Sequence, residues 1–286
     1  MSVSVGCVLR RALTVSCLAG ILGAAHTASA DEAEPKKWEQ LFFPFPIVGA
    51  PPQLEQQAQI FNSYFRGKEG SGDVVSVEMA AIAAAHFGVV ATLPFQFGFD
   101  GQTTGPGDTQ VLAQWLAAGS LRYDNMLSMG VQGSFPTGHK DLSLGDYYVG
   151  PFIYGAQRLF HHVILEGNVT ALIPLAHGDS AKQILATGMA SFLLTPKKFV
   201  LPIYAQAELN STTYLGGTAG LPPGAKDSPA ETLFLAPEFF LGPFETPITD
   251  GTRIAGGVFF NLYGDKVHAQ TYSLTLAIDI PNKWGY

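Results

Sequence analysis

The sequence has no cysteine after residue 17, because its two, Cys7 and Cys17, both lie within the first thirty residues. Those thirty residues carry the three regions of a secretory signal. Arg10 and Arg11 supply a basic start, Ala12 to Ala25 an apolar stretch, and Ala28-Ser29-Ala30 a small-x-small cleavage pattern followed by Asp31 and Glu32. The apolar stretch is too short for a spanning helix and ends near His26. Thr14-Val15-Ser16 is a poor lipobox for Cys17, so lipid attachment is not expected. Cleavage after Ala30 leaves a mature chain without a thiol. Disulfide frameworks, cysteine-ligated zinc and thiol nucleophiles are then excluded.

Charge is also scarce. Only 14% of residues are Asp, Glu, Lys or Arg, against roughly 25% in an ordinary globular domain. Loss of residues 1–30 removes two of sixteen Lys+Arg and none of twenty-three Asp+Glu, moving the formal charge from −7 to −9. An acidic chain of this kind excludes nucleic acid as a partner. Long hydrophobic runs are missing too. After Ala30 nothing approaches the roughly 18 apolar residues that a spanning helix needs. Low charge and abundant Phe, Tyr and Gly in an exported chain without such a helix lead to a membrane β-barrel, whose alternation hides its hydrophobicity from a running average. A soluble secreted β-sandwich is the competing fold.

What the sequence does have is period 2. Near the C-terminus Tyr272, Leu274, Leu276, Ile278 and Ile280 alternate with Thr271, Ser273, Thr275, Ala277 and Asp279. The parity continues through Trp284 to the last residue, Tyr286. An aromatic end in phase with the lipid-facing set resembles the signal read by outer-membrane assembly machinery. Trp284 and Tyr286 are therefore the candidate assembly signal and that machinery an expected partner. A sandwich produces alternation but has no use for the aromatic end.

The pattern recurs over 74–79, 92–99, 127–135, 161–175, 183–194, 199–210, 231–241 and 251–262. Examples are Leu93, Phe95, Phe97 and Phe99 against Thr92, Gln96 and Gly98, and Val163, Leu165 and Val169 against Glu166, Asn168 and Thr170. Segments 110–120 and 146–158 alternate less cleanly. Paired residues across a hairpin share a face, so an odd number of enclosed residues preserves parity and an even number flips it. From Leu262 to Gln270 the outward set stays even, and from Leu194 to Phe199 it changes from even to odd.

Short links fall near His86, at Leu121–Tyr123, near Phe160 and at Thr195–Lys198. Longer ones fall at Asp100–Thr109, Pro136–Gly145, Ala176–Lys182 and Ser211–Ala230. Short turns face the periplasm in such barrels and long loops face outside. Counting back from a periplasmic Tyr286 requires an extra strand within Gln57–Arg66, with Gly67–Asp73 as the first external loop. The expected fold is thus all-β, a transmembrane antiparallel barrel of about twelve strands (about ten to fourteen) over 57–286. A periplasmic lead-in would occupy 31–56. The link Pro243–Asp250 is longer than its periplasmic peers.

A charge facing lipid near mid-bilayer costs about 2–4 kcal/mol if basic. Alternation therefore turns Glu78, Arg158, Glu166, Glu208, Glu238, Arg253 and Asp279 inward, as candidate pore-lining residues. They either pair across strands in a filled lumen or line an aqueous pore. His139/Asp141 and His177/Asp179, with Asp265 and His268, fall in predicted external loops and give a third option, a surface hydrolase or metal site. No zinc spacing, nucleophile elbow or phosphate loop accompanies them. His161-His162 reads as a headgroup-level anchor. Gly216-Gly217 and Leu221-Pro222-Pro223-Gly224 read as a mobile loop.

Leu93-Pro94, then Phe135-Pro136-Thr137-Gly138, Gly145 and Val149-Gly150-Pro151 resemble the outer-membrane channel family named for the meta-pathway of phenol degradation. The resemblance implies a signal-bearing barrel of the Gram-negative outer membrane. It also implies uptake of small solutes, often apolar or aromatic, and brings no catalytic residues. The reading is a passive channel with no cofactor and no metal. Its partners are outer-membrane lipid, the assembly machinery and small-molecule solutes. A closed barrel acting as adhesin or structural anchor is the alternative, with the surface hydrolase third.

Overall fold

The structure, a computed structural model, describes residues 57–67, 70–84, 86–120, 125–159, 162–176, 180–195, 201–216, 231–244, 252–263 and 268–279. Residues 1–56 lie outside them, so the cleavage site after Ala30 and the lead-in 31–56 are not described. Neither are Trp284 and Tyr286.

Twelve long strands follow one another as β1 (Gln57–Gly67), β2 (Gly70–Ala84), β3 (Phe87–Phe99), β4 (Thr109–Ser120), β5 (Asn125–Phe135), β6 (Tyr148–Leu159), β7 (Val163–Pro174), β8 (Lys182–Leu193), β9 (Ile203–Leu215), β10 (Glu231–Phe244), β11 (Thr252–Tyr263) and β12 (His268–Asp279). Each pairs antiparallel with its neighbours in sequence. β1 closes the ring by pairing with β12 from Gln57↔Asp279 to Gly67↔His268. A single closed sheet replaces the two layers of a sandwich. Closure removes the free edges that an open sheet leaves with unpaired backbone groups.

Parity explains why these segments fold so. On β12, Tyr272, Leu274 and Leu276 face outward while Thr275 is wholly buried inside. On β3, Leu93, Phe95, Phe97 and Phe99 are outward, and the rings of Phe95 and Phe97 are 4.8 Å apart. Both hairpin parities hold. Phe260 pairs with Gln270 and Val258 with Tyr272, even with even. Phe192 pairs with Ala205, even with odd.

The strand ends differ from the sequence reading in several places, among them β9, which runs on to Leu215 into the expected loop Ser211–Ala230, and β10, which runs on to Phe244. No loop spans Gly67–Asp73. The β1–β2 ladder runs up to Gly67↔Gly70, and within it Gly72 lies against the Phe65 ring, where a Cβ would stand 2.7 Å from it. β9 starts at Ile203 instead of residue 199. Pro202 has no N–H to give a ladder, and its carbonyl accepts from Gly242 N at 2.9 Å.

One end of the barrel carries the tight links through His86 (φ 74°) and between Leu159 and Val163, along with the wider intervals from Leu193 to Ile203 and from Phe244 to Thr252. The other carries the long loops 100–108 and 136–147, along with the close Gly67–Gly70 hairpin. At this long-loop end the β3–β4 ladder is incomplete. It covers only Phe87–Thr92 against Trp115–Gln110, and Gly105-Pro106 continues the pairing against Gln96 and Phe95. Asp108, buried at the break, accepts from Gly138 N at 3.1 Å and Leu144 N at 2.7 Å.

Candidate pore lining

Antiparallel register aligns the inward side chains of neighbouring strands into rows. One row across β6–β9 is Tyr154, Asn168, Thr187 and Asn210. One inward step towards the tight links comes Ala156, Glu166, Met189, Glu208 and Ala236, the last on β10. The next step holds Arg158, Ile164, Ser191, Gln206 and Glu238. Below that lie Leu193, Tyr204, Phe240 and Ala255. Each step is two residues, about 7 Å along a strand.

Local sequence makes room for these side chains. Glu238 leans over Gly257, where a Cβ would stand 2.6 Å from the glutamate Cγ. The Phe152 ring covers Gly130 in the same way, at 2.5 Å. Tyr204 and Phe240 meet edge to face with centroids 6.1 Å apart.

Six of the seven charged candidates have described side chains. Glu78, Glu166, Glu208, Glu238 and Arg253 are buried on the inward face, and Arg158 is half-buried there. They form separate groups. The Tyr154 hydroxyl donates to Glu166, which feels Glu208 and Arg158, and Glu208 stands beside Glu238. Glu78 accepts from the Gln59 amide and, at 3.1 Å, from the Thr92 hydroxyl. Arg253 lies beyond the Tyr204–Phe240 step, with Nη1 3.5 Å from Gln57 Oε1. Asp279 pairs through its backbone with Gln57, and its side chain lies outside the described residues.

The lumen is not uniform along its length. Phe240 and Glu208 are 0% exposed and Tyr154 1%, so this half forms a packed neck. Towards the long loops the lining is mixed: Gln96, Gln132, Thr212 and Thr232 are half-buried and Gln110 is exposed, whereas Ser134, Tyr148, Phe152, Thr170 and Leu172 are buried, and Gln132 donates to Gln110 at 3.2 Å. Barrels of about eight strands are filled by their own side chains, and those of about 16 hold water. At twelve strands the identity of the inward residues decides.

Alternation did not reveal the aromatic part of the lumen. Tyr148, Phe152, Tyr154 and Ala156 point inward from β6 while Val149 and Ile153 point outward. Both faces are apolar, so the period-2 contrast vanishes. Leu112 and Leu116 have the same effect on β4. The weak alternation in these two segments has one cause, apolar side chains on both faces, mostly aromatic on β6 and leucine on β4.

Among the described residues the rim histidines form no metal centre. His139 Nδ1 lies 3.7 Å from Asp141 on an exposed loop. No group of three metal-binding side chains occurs among the described residues. His177, Asp179 and Asp265 lie outside those residues, as does the side chain of His268. His161 does too, whereas His162 is exposed in the β6–β7 turn and its carbonyl accepts from Leu193 N at 2.8 Å. Gly216 (φ 62°) ends β9, and the loop after it is not described.

No family model matches the sequence. No curated protein matches it either. Solved structures do. The crystal structure of the COG4313 outer membrane channel from Pseudomonas putida F1 matches with a TM-score of 0.57 at 14% identity, over 87% of this chain and 100% of that one. The chain has the fold of outer-membrane barrels. The NanC porin gives 0.53 at 9% identity, over 78% and 100%. At such identities the likeness is one of fold, a closed antiparallel barrel shared with outer-membrane channels.

Proposed function

We propose that the chain is an outer-membrane channel for passive diffusion of small solutes, with tight links in the periplasm and long loops outside. The observation that carries this is the division of the wall. Large apolar side chains cover its outward face, and amides, hydroxyls and carboxylates cover most of its inward face. Water or solute inside and lipid outside would each meet a matching surface. Aromatic rings in the neck suit apolar or aromatic solutes, the class implied by the resemblance to the phenol meta-pathway family.

The packed neck favours a second reading, a closed barrel serving as an anchor or adhesin. Planar-bilayer recording separates the two. A channel gives discrete steps that prefer cations, because Glu166, Glu208 and Glu238 focus a negative potential in the neck. Changing Glu166 and Glu208 to Gln should reduce that preference while folding is retained. Silent bilayers from correctly folded protein would favour the anchor.

A further inference from the structure

We propose that the apolar cluster inside the barrel is the channel's gate, sealed against water and ions when closed and opened by movement at the β10–β11 seam. This rests on the channel reading and names its barrier.

Inward apolar side chains from β2 to β7 and from β9 to β11 belong to one contiguous buried cluster. Ala80, Leu112, Met126, Ile164, Phe240 and Phe259 are among its members, and no member is more than 6% exposed. Such a layer offers water no hydrogen bonds, and an ion crossing it would lose hydration without replacement. Apolar constrictions of this kind stay dry until their side chains part. Close packing is what the shut state of such a barrier requires.

Backbone pairing sets where the wall can give. Between Leu235↔Phe260 and Glu238↔Gly257 the β10–β11 ladder lapses. Val258 stands opposite Pro237 there, and Pro237 has no N–H to donate across the seam. The ladder is irregular again between Leu241 and Phe244. These two strands carry Ala236, Phe240, Ala255 and Phe259 of the cluster. Glu238 faces inward between Ala236 and Phe240. A small shift of β10 against β11 therefore parts apolar side chains next to a carboxylate, which favours entry of cations.

The test is the open fraction of the refolded chain in planar bilayers, with the heat-modifiable band as the check on folding. Wild type should flicker open from a closed baseline. Phe240→Ala and Phe259→Leu each shrink the cluster and should raise the open fraction at least about threefold. Pro237→Ala supplies the missing N–H and should lower it about threefold, the effect of one added hydrogen bond in the closed state. Phe239→Ala, on the lipid side of the same strand, should leave it unchanged. Wild-type steps that folded Phe240→Ala and Phe259→Leu leave unaltered sink the gate and keep the channel. Pro237→Ala leaves the cluster untouched, so it decides the matter if neither cluster variant folds: an open fraction at or above wild type overturns the gate at this seam. Silence from folded wild type and both folded cluster variants sinks the channel reading itself. A silent wild type beside conducting variants sinks the channel and keeps the apolar seal.

Discussion

The Tyr154–Glu166 contact shows how much depends on single side chains in the neck. Both residues are almost fully buried, and the phenol hydroxyl supplies one hydrogen bond to the carboxylate. A buried acceptor that loses its donor keeps its desolvation cost. Tyr154→Phe should therefore destabilise the barrel by about 1–3 kcal/mol, read as a lower midpoint for loss of the heat-modifiable band. Adding Glu166→Leu should restore much of that loss, since removing both polar partners leaves an apolar pair. An unchanged midpoint in Tyr154→Phe would mean that the hydroxyl contributes nothing there. Gly130 and Gly257 belong to the same scale: a Cβ at the first would meet the Ala113 carbonyl oxygen at 2.0 Å and the Phe152 ring at 2.5 Å, and at the second the Glu238 Cγ at 2.6 Å.

Strands and loops meet at the long-loop rim, where Pro136-Thr137-Gly138 has a definite task. Thr137 Oγ1 accepts from Thr109 N at 3.0 Å, satisfying the first residue of β4 just after the strand break. Asp108 holds the same loop from below through Gly138 and Leu144, and the Pro106 carbonyl accepts from His139 N at 2.7 Å. Asp108→Ala should release residues 136–147 without opening the barrel, so limited proteolysis should cut in that loop while the heat-modifiable band persists. If the loop stays resistant, Thr137 and the backbone contacts are sufficient without the carboxylate. We expect that deletion of residues 284–286 leaves unfolded, protease-sensitive protein in the periplasm, as an assembly signal at Trp284 and Tyr286 would require. A normal outer-membrane band after that deletion would count against it.

The whole molecule is a twelve-stranded ring in two different surroundings. An apolar exterior is uniform in its demand, whereas the interior mixes amides, hydroxyls, carboxylates and aromatic rings, many of them packed out of contact with water. Export to such surroundings predicts a mature chain beginning at Asp31. Intact mass of outer-membrane material should show loss of residues 1–30 and no lipid on Cys17, and a retained leader would contradict it.

How much of this was legible in the sequence follows from the same contrast. The outward face of every strand meets one solvent, so each residue there answers a local question with period 2. Leu93 to Phe99 and Tyr272 to Leu276 gave their faces away one strand at a time, and with them the strand count and the inward placement of Glu78, Glu166, Glu208, Glu238 and Arg253. Strand ends were less legible, as at Gly67–Gly70 and Ile203, because a ladder stops where its partner stops. The neck was not legible. Tyr154 meets Glu166 and Tyr204 meets Phe240 through register between strands, and Glu208 and Glu238 join Glu166 from strands well separated in sequence. The sequence by itself determined which side of the wall each residue takes, since lipid acts on residues singly. Only the tertiary structure decided which inward residues touch and where the lumen narrows, because that depends on how twelve registers close around one axis.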